Sequence, residues 1–288
     1  MKQSTRILLI LLCLVVFLGG IAAVLYPLVS NNYSEKHQSK IFVEYSEQIE
    51  QVEDEEITAA REAAIEYNRR LSEGEIKKMS DTLPEYTKLL KVKEGAAMCY
   101  LEIPKLDLTL AVYHGDTDEG LKTATAHFFG TSLPVGGEST HAVISGHTGM
   151  ASHRIFTDLP QMEEGDIFFL YVLGERLAYQ VDQIKEVKPN NATDISIIHG
   201  EDHVTLLTCT PYGINSYRLL VRGIRIDYQE AEEIVETLPE EPAPSVWKRQ
   251  YIKGILTGLF ILLGIVLVLC IISLVQRRRR NRRRRQGN

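Results

Sequence analysis

The stretch TLLTCTPYGINSYRLLVRG (205–223) reads as a β-hairpin with a thiol at the end of one arm and a guanidinium near the start of the other. Leu206, Leu207 and Thr208 are strand-forming on one side, and Tyr217, Leu219, Leu220 and Val221 on the other. Pro211, Gly213 and Asn215 mark the turn between them. With Pro211–Ser216 as the loop, symmetric pairing sets Thr210 opposite Tyr217 and Cys209 opposite Arg218. Directly opposed residues hold their Cβ atoms about 4.5–5.5 Å apart. A permanent cation at that range favours the thiolate, the nucleophilic form, and can also stabilise an oxyanion.

What a thiol can mean depends on its compartment. Ile7–Val29 and Gly254–Val275 carry no charge, and each run is longer than 20 residues. At a rise of about 1.5 Å per residue either can cross a hydrocarbon core of about 30 Å. Lys2 and Arg6 precede the first run, and eight arginines, Arg277–Arg280 and Arg282–Arg285, follow the second. Positive flanks stay in the cytoplasm, so the pattern predicts a two-span protein of the cell membrane with both termini inside and the middle outside. Lys248, Arg249 and Lys253 point the other way but are outnumbered. The first run exceeds a typical signal-peptide core and no clean small-x-small site follows it, so it is expected to be an uncleaved anchor. The chain carries −6, and the ten positive charges at its ends leave −16 on residues 7–276. An acidic outer domain is not built to grip nucleic acid.

The outer region, from about residue 30, divides in two. Residues 30–96 form a polar preface of helical character: FVEYSEQIEQVEDEEITAAREAAIEYNRRL (42–71) places Phe42, Tyr45, Ile49, Val52, Ile57, Ala60 and Ala64 at near-helical intervals. An amphipathic stalk is expected, with the acidic block Glu44–Glu56 in solvent. Residues 97–228 change texture. Strand-like runs recur at Met98–Ile103, Leu108–Val112, His141–Ser145, Ile167–Leu173, Leu177–Val187, His203–Cys209 and Tyr217–Ile226, with short helices expected at Asp118–Thr125 and Ser152–Leu159. Seven or eight strands with few long helices predict a mainly β fold, a closed or nearly closed barrel. Glu230–Pro244 reads as an acidic linker within 229–253, ahead of the second span and the arginine-rich tail 276–288.

Four cysteines are present. Cys13 and Cys270 fall in the apolar runs, which leaves Cys99 and Cys209 outside, where a Cys99–Cys209 disulfide is one alternative and a free nucleophilic Cys209 the other. A thiol nucleophile needs an acid–base partner, commonly imidazole. His37 and His114 are expected to face solvent, and His127, His141, His153, His199 and His203 are ordinary surface or packing candidates. His147 ends the apolar strand HAVISGHTG (141–149) between Gly146 and Gly149. A strand end flanked by glycines can deliver a side chain to a barrel rim beside a substrate backbone. Pattern alone leaves the other seven histidines open.

At these residues the chain resembles the sortases. TLLTC (205–209) with Arg218 matches the T-L-x-T-C motif and downstream arginine of that family. GTSLPVGGESTHAVISGHTG (130–149) is similar to the segment that leads to its catalytic histidine in class C, pilin-polymerising members, and LEIPKLDLTLAVYHG (101–115) fits the opening strands. The similarity runs from about Ala97 to Tyr228. It implies an eight-stranded sortase β-barrel and a cysteine transpeptidase with no metal or organic cofactor. Cys209 would attack between Thr and Gly of an LPxTG-type sorting signal. His147 would act as general acid and base, and Arg218 would hold the carbonyl or oxyanion. The implied partners are pilin sorting signals, a pilin lysine amine as acceptor, and the membrane. The resemblance departs at one point: many class C enzymes carry an Asp-Pro-aromatic anchor in a lid before the barrel, whereas RRLSEGEIKKMSDTLPEYTKLL (69–90) has none. The segment 70–83 is therefore expected to be a mobile or weakly docked cover. Alternatives are a sortase that anchors proteins to peptidoglycan and a disulfide-stapled, non-catalytic binding module. A sorted surface protein is a third, although Leu238-Pro239 lacks the Thr-Gly needed for cleavage.

Overall fold

The computed structural model describes residues 3–76, 78–91, 96–115, 124–149, 153–191, 193–239 and 245–286. The chain separates into two units, Met1–Ala243 and Pro244–Asn288.

In the first unit eight strands close a barrel: β1 (Cys99–Ile103), β2 (Leu108–His114), β3 (Thr125–His127), β4 (Thr140–Ser145), β5 (Ile167–Val172), β6 (Glu175–Val187), β7 (Asp202–Thr210) and β8 (Tyr217–Ile226). They follow one another around the barrel as β1-β2-β3-β4-β7-β8-β6-β5. The β2–β3 and β4–β7 pairs are parallel and the rest antiparallel. Side chains alternate between faces at period two, so Ala142 and Ile144 of β4, Val204 and Leu206 of β7, and Leu219 and Val221 of β8 enter one buried core. Gly223 is required where β8 crosses the stacked rings of Phe168 and Tyr179, because a Cβ there would lie 2.6 Å from the Phe168 ring.

Seven of these strands coincide with the runs read from the sequence. The eighth, β3, was missed because three residues are too few to show a period. The helix expected at Asp118–Thr125 lies outside the described residues except at its end, where Thr125 opens β3. The helix expected at Ser152–Leu159 is replaced, over its described residues, by turns and a short 3-10 segment, Leu159–Gln161. Ile155 adopts φ 30° and Pro160 offers no amide proton, and both oppose an α-helix.

The helical preface is α1 (Gln3–Glu50), α2 (Asp54–Ser72) and α3 (Met79–Tyr86). Acidic residues fill the first turn of α2 and Arg69 and Arg70 its last, which suits the helix dipole. Instead of projecting as a stalk, the preface docks on the barrel wall. The Ala111 amide donates to Gln38 Oε1 (3.1 Å) and the Leu173 amide to the Tyr45 hydroxyl (3.1 Å), while Phe42 meets the rings of Tyr100 and Tyr171 edge-on. From α2, Asn68 closes a two-bond clasp on the backbone of Leu133 (2.6 and 2.9 Å). The Gln38, Tyr45 and Asn68 side chains thus satisfy barrel backbone groups that would otherwise need solvent. The expected linker also begins as structure. Helix α4 (Tyr228–Glu236) is capped by Asp227 and buries Ala231 against Ile167, Phe169 and Ala178. Its acidic composition concealed the helical spacing of Tyr228, Ala231, Ile234 and Val235.

The second unit contains α5 (Val246–Gln286). Among the described residues, one helical stretch is long and apolar enough to cross a membrane, Lys248–Ile272. The other uncharged run, 7–29, forms part of α1.

Candidate active site

The parallel pairing of β4 with β7 decides where the site lies. Both strands run the same way, with Ser145 beside Leu207, so the residues that follow them emerge at one rim. One such residue is His147, and Cys209 occupies the end of β7. Strand β8 then returns antiparallel from that rim, pairing Thr210 with Tyr217 and Cys209 with Arg218, the register expected from the hairpin's symmetry. Inward residues Val204 and Leu206 fill the core, so Leu207 and Cys209 take the opposite face. There a cleft of about 430 Å³ is lined by Ser145, His147, Leu207, Cys209, Arg218 and Leu220 from the three strands. Its other wall comes from Val187 at the end of β6 and from the β6–β7 connection, through Pro189, Asn190, Asn191 and Ile195.

Backbone and side-chain bonds lock the histidine segment to the cysteine strand. The Gly146 amide donates to the Leu207 carbonyl (3.0 Å), and the Thr208 hydroxyl donates to the Gly146 carbonyl (2.7 Å). Thr208 is buried and precedes Cys209, as Gly146 precedes His147. Sequence reading missed this tie, although period-two alternation already sets the Thr208 side chain on the face opposite that of Cys209. Gly146 is required for close approach: a Cβ would lie 2.7 Å from the Phe156 ring and 2.9 Å from Ile155. Those side chains fill the side on which a Cβ would point, while Gly146 still borders the cleft. Gly149 does carry the left-handed conformation, φ 76°, in the turn after His147.

Arg218 is half-buried, and its Nη1 donates to the carbonyls of Tyr217 (3.1 Å) and Asn215 (3.3 Å). These bonds tether one arm of the guanidinium to the hairpin loop. Cys209 is a half-buried free thiol. Cys99 is also free but wholly buried on β1, and burial pushes its thiol up out of the reactive range. Strands β1 and β7 are not neighbours in the barrel, and the Cys99–Cys209 bridge of the binding-module alternative is not formed. Cys270 is exposed on α5, while the side chain of Cys13 is outside the description.

The remaining histidines are sorted by burial. His127, His141 and His203 are at most 1% exposed. His127 bonds the Tyr86 hydroxyl through Nδ1 (3.0 Å) and the Ser132 carbonyl through Nε2 (2.7 Å). His114, expected in solvent, is half-buried at the end of β2 and donates to the Leu89 carbonyl (2.6 Å). His199 meets the Ser139 hydroxyl at the surface (3.2 Å), and His153 is half-buried. The side chain of His37 lies outside the described residues. Among the described side chains, none of the other six lines the cleft, whereas His147 does. Among the described residues, no group of three or more His, Cys, Asp or Glu side chains is placed to hold a metal ion. Nor does any described residue of the segment 70–83 line the cleft.

Comparison with known proteins bears on this geometry. A family model described as the sortase domain matches residues 101–226. Sortase C1 of Streptococcus agalactiae is 41% identical, with a TM-score of 0.62 over 68% of this chain and 99% of that one. Streptococcus pneumoniae sortase C is 44% identical, with a TM-score of 0.59 over 66% of this chain and 97% of its own. A Clostridium perfringens sortase C described with a C-terminal cell wall sorting motif is 42% identical (TM-score 0.58; 66% and 98% covered). Sortase A of Bacillus anthracis is 29% identical over 123 residues, and the match spans 57% of that relative's length.

Proposed function

The chain belongs to the sortase family, with class C enzymes among its structural relatives, and from that premise we propose that it is a membrane-anchored cysteine transpeptidase. Its substrate is an LPxTG-type sorting signal and its acceptor a pilin lysine amine. The observation that carries the reading is the convergence of Cys209, His147 and Arg218 at one rim of a 430 Å³ cleft.

Each residue has a role that follows from its chemistry. The Cys209 thiolate adds to the carbonyl between Thr and Gly, and the C–N bond breaks to leave a thioacyl enzyme. His147 delivers the proton to the departing glycine amine and later takes one from the incoming lysine amine, whose attack expels the thiolate and forms an isopeptide bond. Arg218 has five N–H donors, and its hydrogen bonds among the described residues use Nη1 alone, which leaves Nε and Nη2 for the oxyanion. The tether through Nη1 spares the enzyme the cost of ordering the guanidinium during reaction. This mechanism draws on no metal or organic cofactor.

The same proposal makes 7–29 and 254–275 two spans, with both termini cytoplasmic and the barrel outside, on the strength of the positive flanks. Incubating the full chain in detergent micelles with a pilin that carries a sorting signal tests the acceptor. Lysine-linked ladders in gels, abolished by removing the acceptor lysine, are the expected result. Transfer only to peptidoglycan-type amines would instead assign the peptidoglycan-anchoring alternative.

A further inference from the structure

We propose that His141 is a positioning residue for the cleft, latching its outer wall to the strands that carry His147 and Cys209. The proposal rests on reading the cleft as the sorting-signal site.

The wall in question is the connection 188–201 between β6 and β7, which contributes Pro189, Asn190, Asn191 and Ile195 to the cleft. Its residues are mostly exposed, and several of its bonds are local. The Asn191 amide donates to the Lys188 carbonyl, the Thr193 amide to the Asn191 side chain, and the Ser196 amide to the Thr193 carbonyl. Lys185 reaches Asp194 from β6, and Ser139 binds the far end at His199 and Gly200. Such a segment has little burial of its own to hold it in place.

Between these ends the loop meets a buried side chain of the barrel. His141, on β4, is 1% exposed, and its Nδ1 lies 2.9 Å from the carbonyl oxygen of Ser196, the residue after Ile195. Its Nε2 lies 2.7 Å from the Thr205 hydroxyl on β7. Among the described residues of 195–198, this is the hydrogen bond that joins the loop to the barrel wall. A carbonyl only accepts, so Nδ1 carries the proton, and the Nε2 lone pair accepts from Thr205. One ring thus spans β4, β7 and the loop. The imidazole remains neutral in this role: burial pushes it down to about 4, although the Ser196 bond opposes the shift. His203, Arg222 and Asp182 face the ring. His203 sits with its ring centroid 5.5 Å away, and Arg222 is ion-paired to Asp182.

The latch is remote from the reacting atoms, so it acts on how the wall grips substrate rather than on bond making. The test measures turnover of an LPxTG-type peptide by the full chain in detergent micelles, alongside amide hydrogen exchange over 195–198. His141→Leu is expected to raise KM about tenfold, the scale of one lost hydrogen bond, with kcat within about twofold and exchange at 195–198 accelerated. His141→Asn, whose amide nitrogen can occupy the Nδ1 position, is expected to restore both. His141→Gln, which reaches only toward Thr205, is expected to behave as the leucine variant does. A purely structural histidine would not separate Asn from Gln. Thr205→Val frees the ring to turn and is expected to accelerate the same exchange, which keeps the test informative if His141→Leu folds poorly. Equal behaviour of the Asn and Gln variants, or unchanged exchange in Thr205→Val, overturns the latch. A parent chain that ignores the peptide while exchange responds as stated overturns the substrate reading instead.

Discussion

Arg218 is paired with the nucleophile across β7 and β8, and among the described residues its hydrogen bonds run from one arm to its own loop. A lysine at this position keeps the charge but has neither the planar fork nor a second arm to tether. Arg218→Lys is therefore expected to fold with an unchanged melting point and lose roughly 10²-fold in kcat, the scale of losing one oxyanion donor. Near-parental turnover in a folded lysine variant would reduce Arg218 to a generic charge. This pair was legible in the sequence because a short hairpin fixes its own register: once Pro211–Ser216 is taken as the loop, Cys209 has one partner. The Thr208–Gly146 bond and the His141 latch were not legible. Each joins residues more than fifty positions apart, and local pattern does not reveal which strands become neighbours.

At the scale of elements, the described residues of the preface contribute none of the cleft lining. Asn68 clasps both backbone groups of Leu133, Arg70 pairs with Glu85 (2.8 Å), and the buried ring of Tyr86 sits among His114, His127 and Phe129. These contacts hold the flanks of 70–83 against the barrel. Replacing Asn68 with Ala strands a buried N–H and C=O and is expected to cost about 2–4 kcal/mol, read as a lower urea midpoint. Labelling of Cys209 by a thiol reagent is expected to stay within a few-fold of the parent rate, both in that variant and after deletion of 70–83. A jump on the order of 10²-fold on deletion would reveal a closed lid. The helical character of this preface was readable from its periodicity, but its docking was not: the decisive residue, Asn68, is polar and gives no apolar signal. Short length hid β3, and acidic composition hid α4, for the same reason that both owe their form to partners distant in sequence.

At the scale of the whole molecule, buried imidazoles set the response to acid. Burial pushes His127 and His141 down to about 4 from an ordinary 6.5. A folded state that resists protonation is at full stability above the unfolded value and loses it as pH falls from 6.5 through 4. By pH 5 the two histidines together are expected to cost roughly 4 kcal/mol relative to pH 7. His203 and His114, also shifted down, add to the loss, and Asp202, shifted up by burial, partly offsets it. Urea midpoints at pH 7 and pH 5 measure the effect, and His141→Asn is expected to flatten the profile by about half. A midpoint that does not move between those pH values would contradict the burial on which the assignment depends.

The central claim is that Cys209, and no other thiol, carries the acyl group. Its most direct test is mass spectrometry of the full chain trapped with an LPxTG-type peptide, with the adduct mapped by proteolysis. The account predicts an adduct of the peptide through its threonine on the fragment containing Cys209, absent in Cys209→Ala and retained in Cys99→Ala. An adduct on Cys99, or continued peptide cleavage by Cys209→Ala, would contradict it.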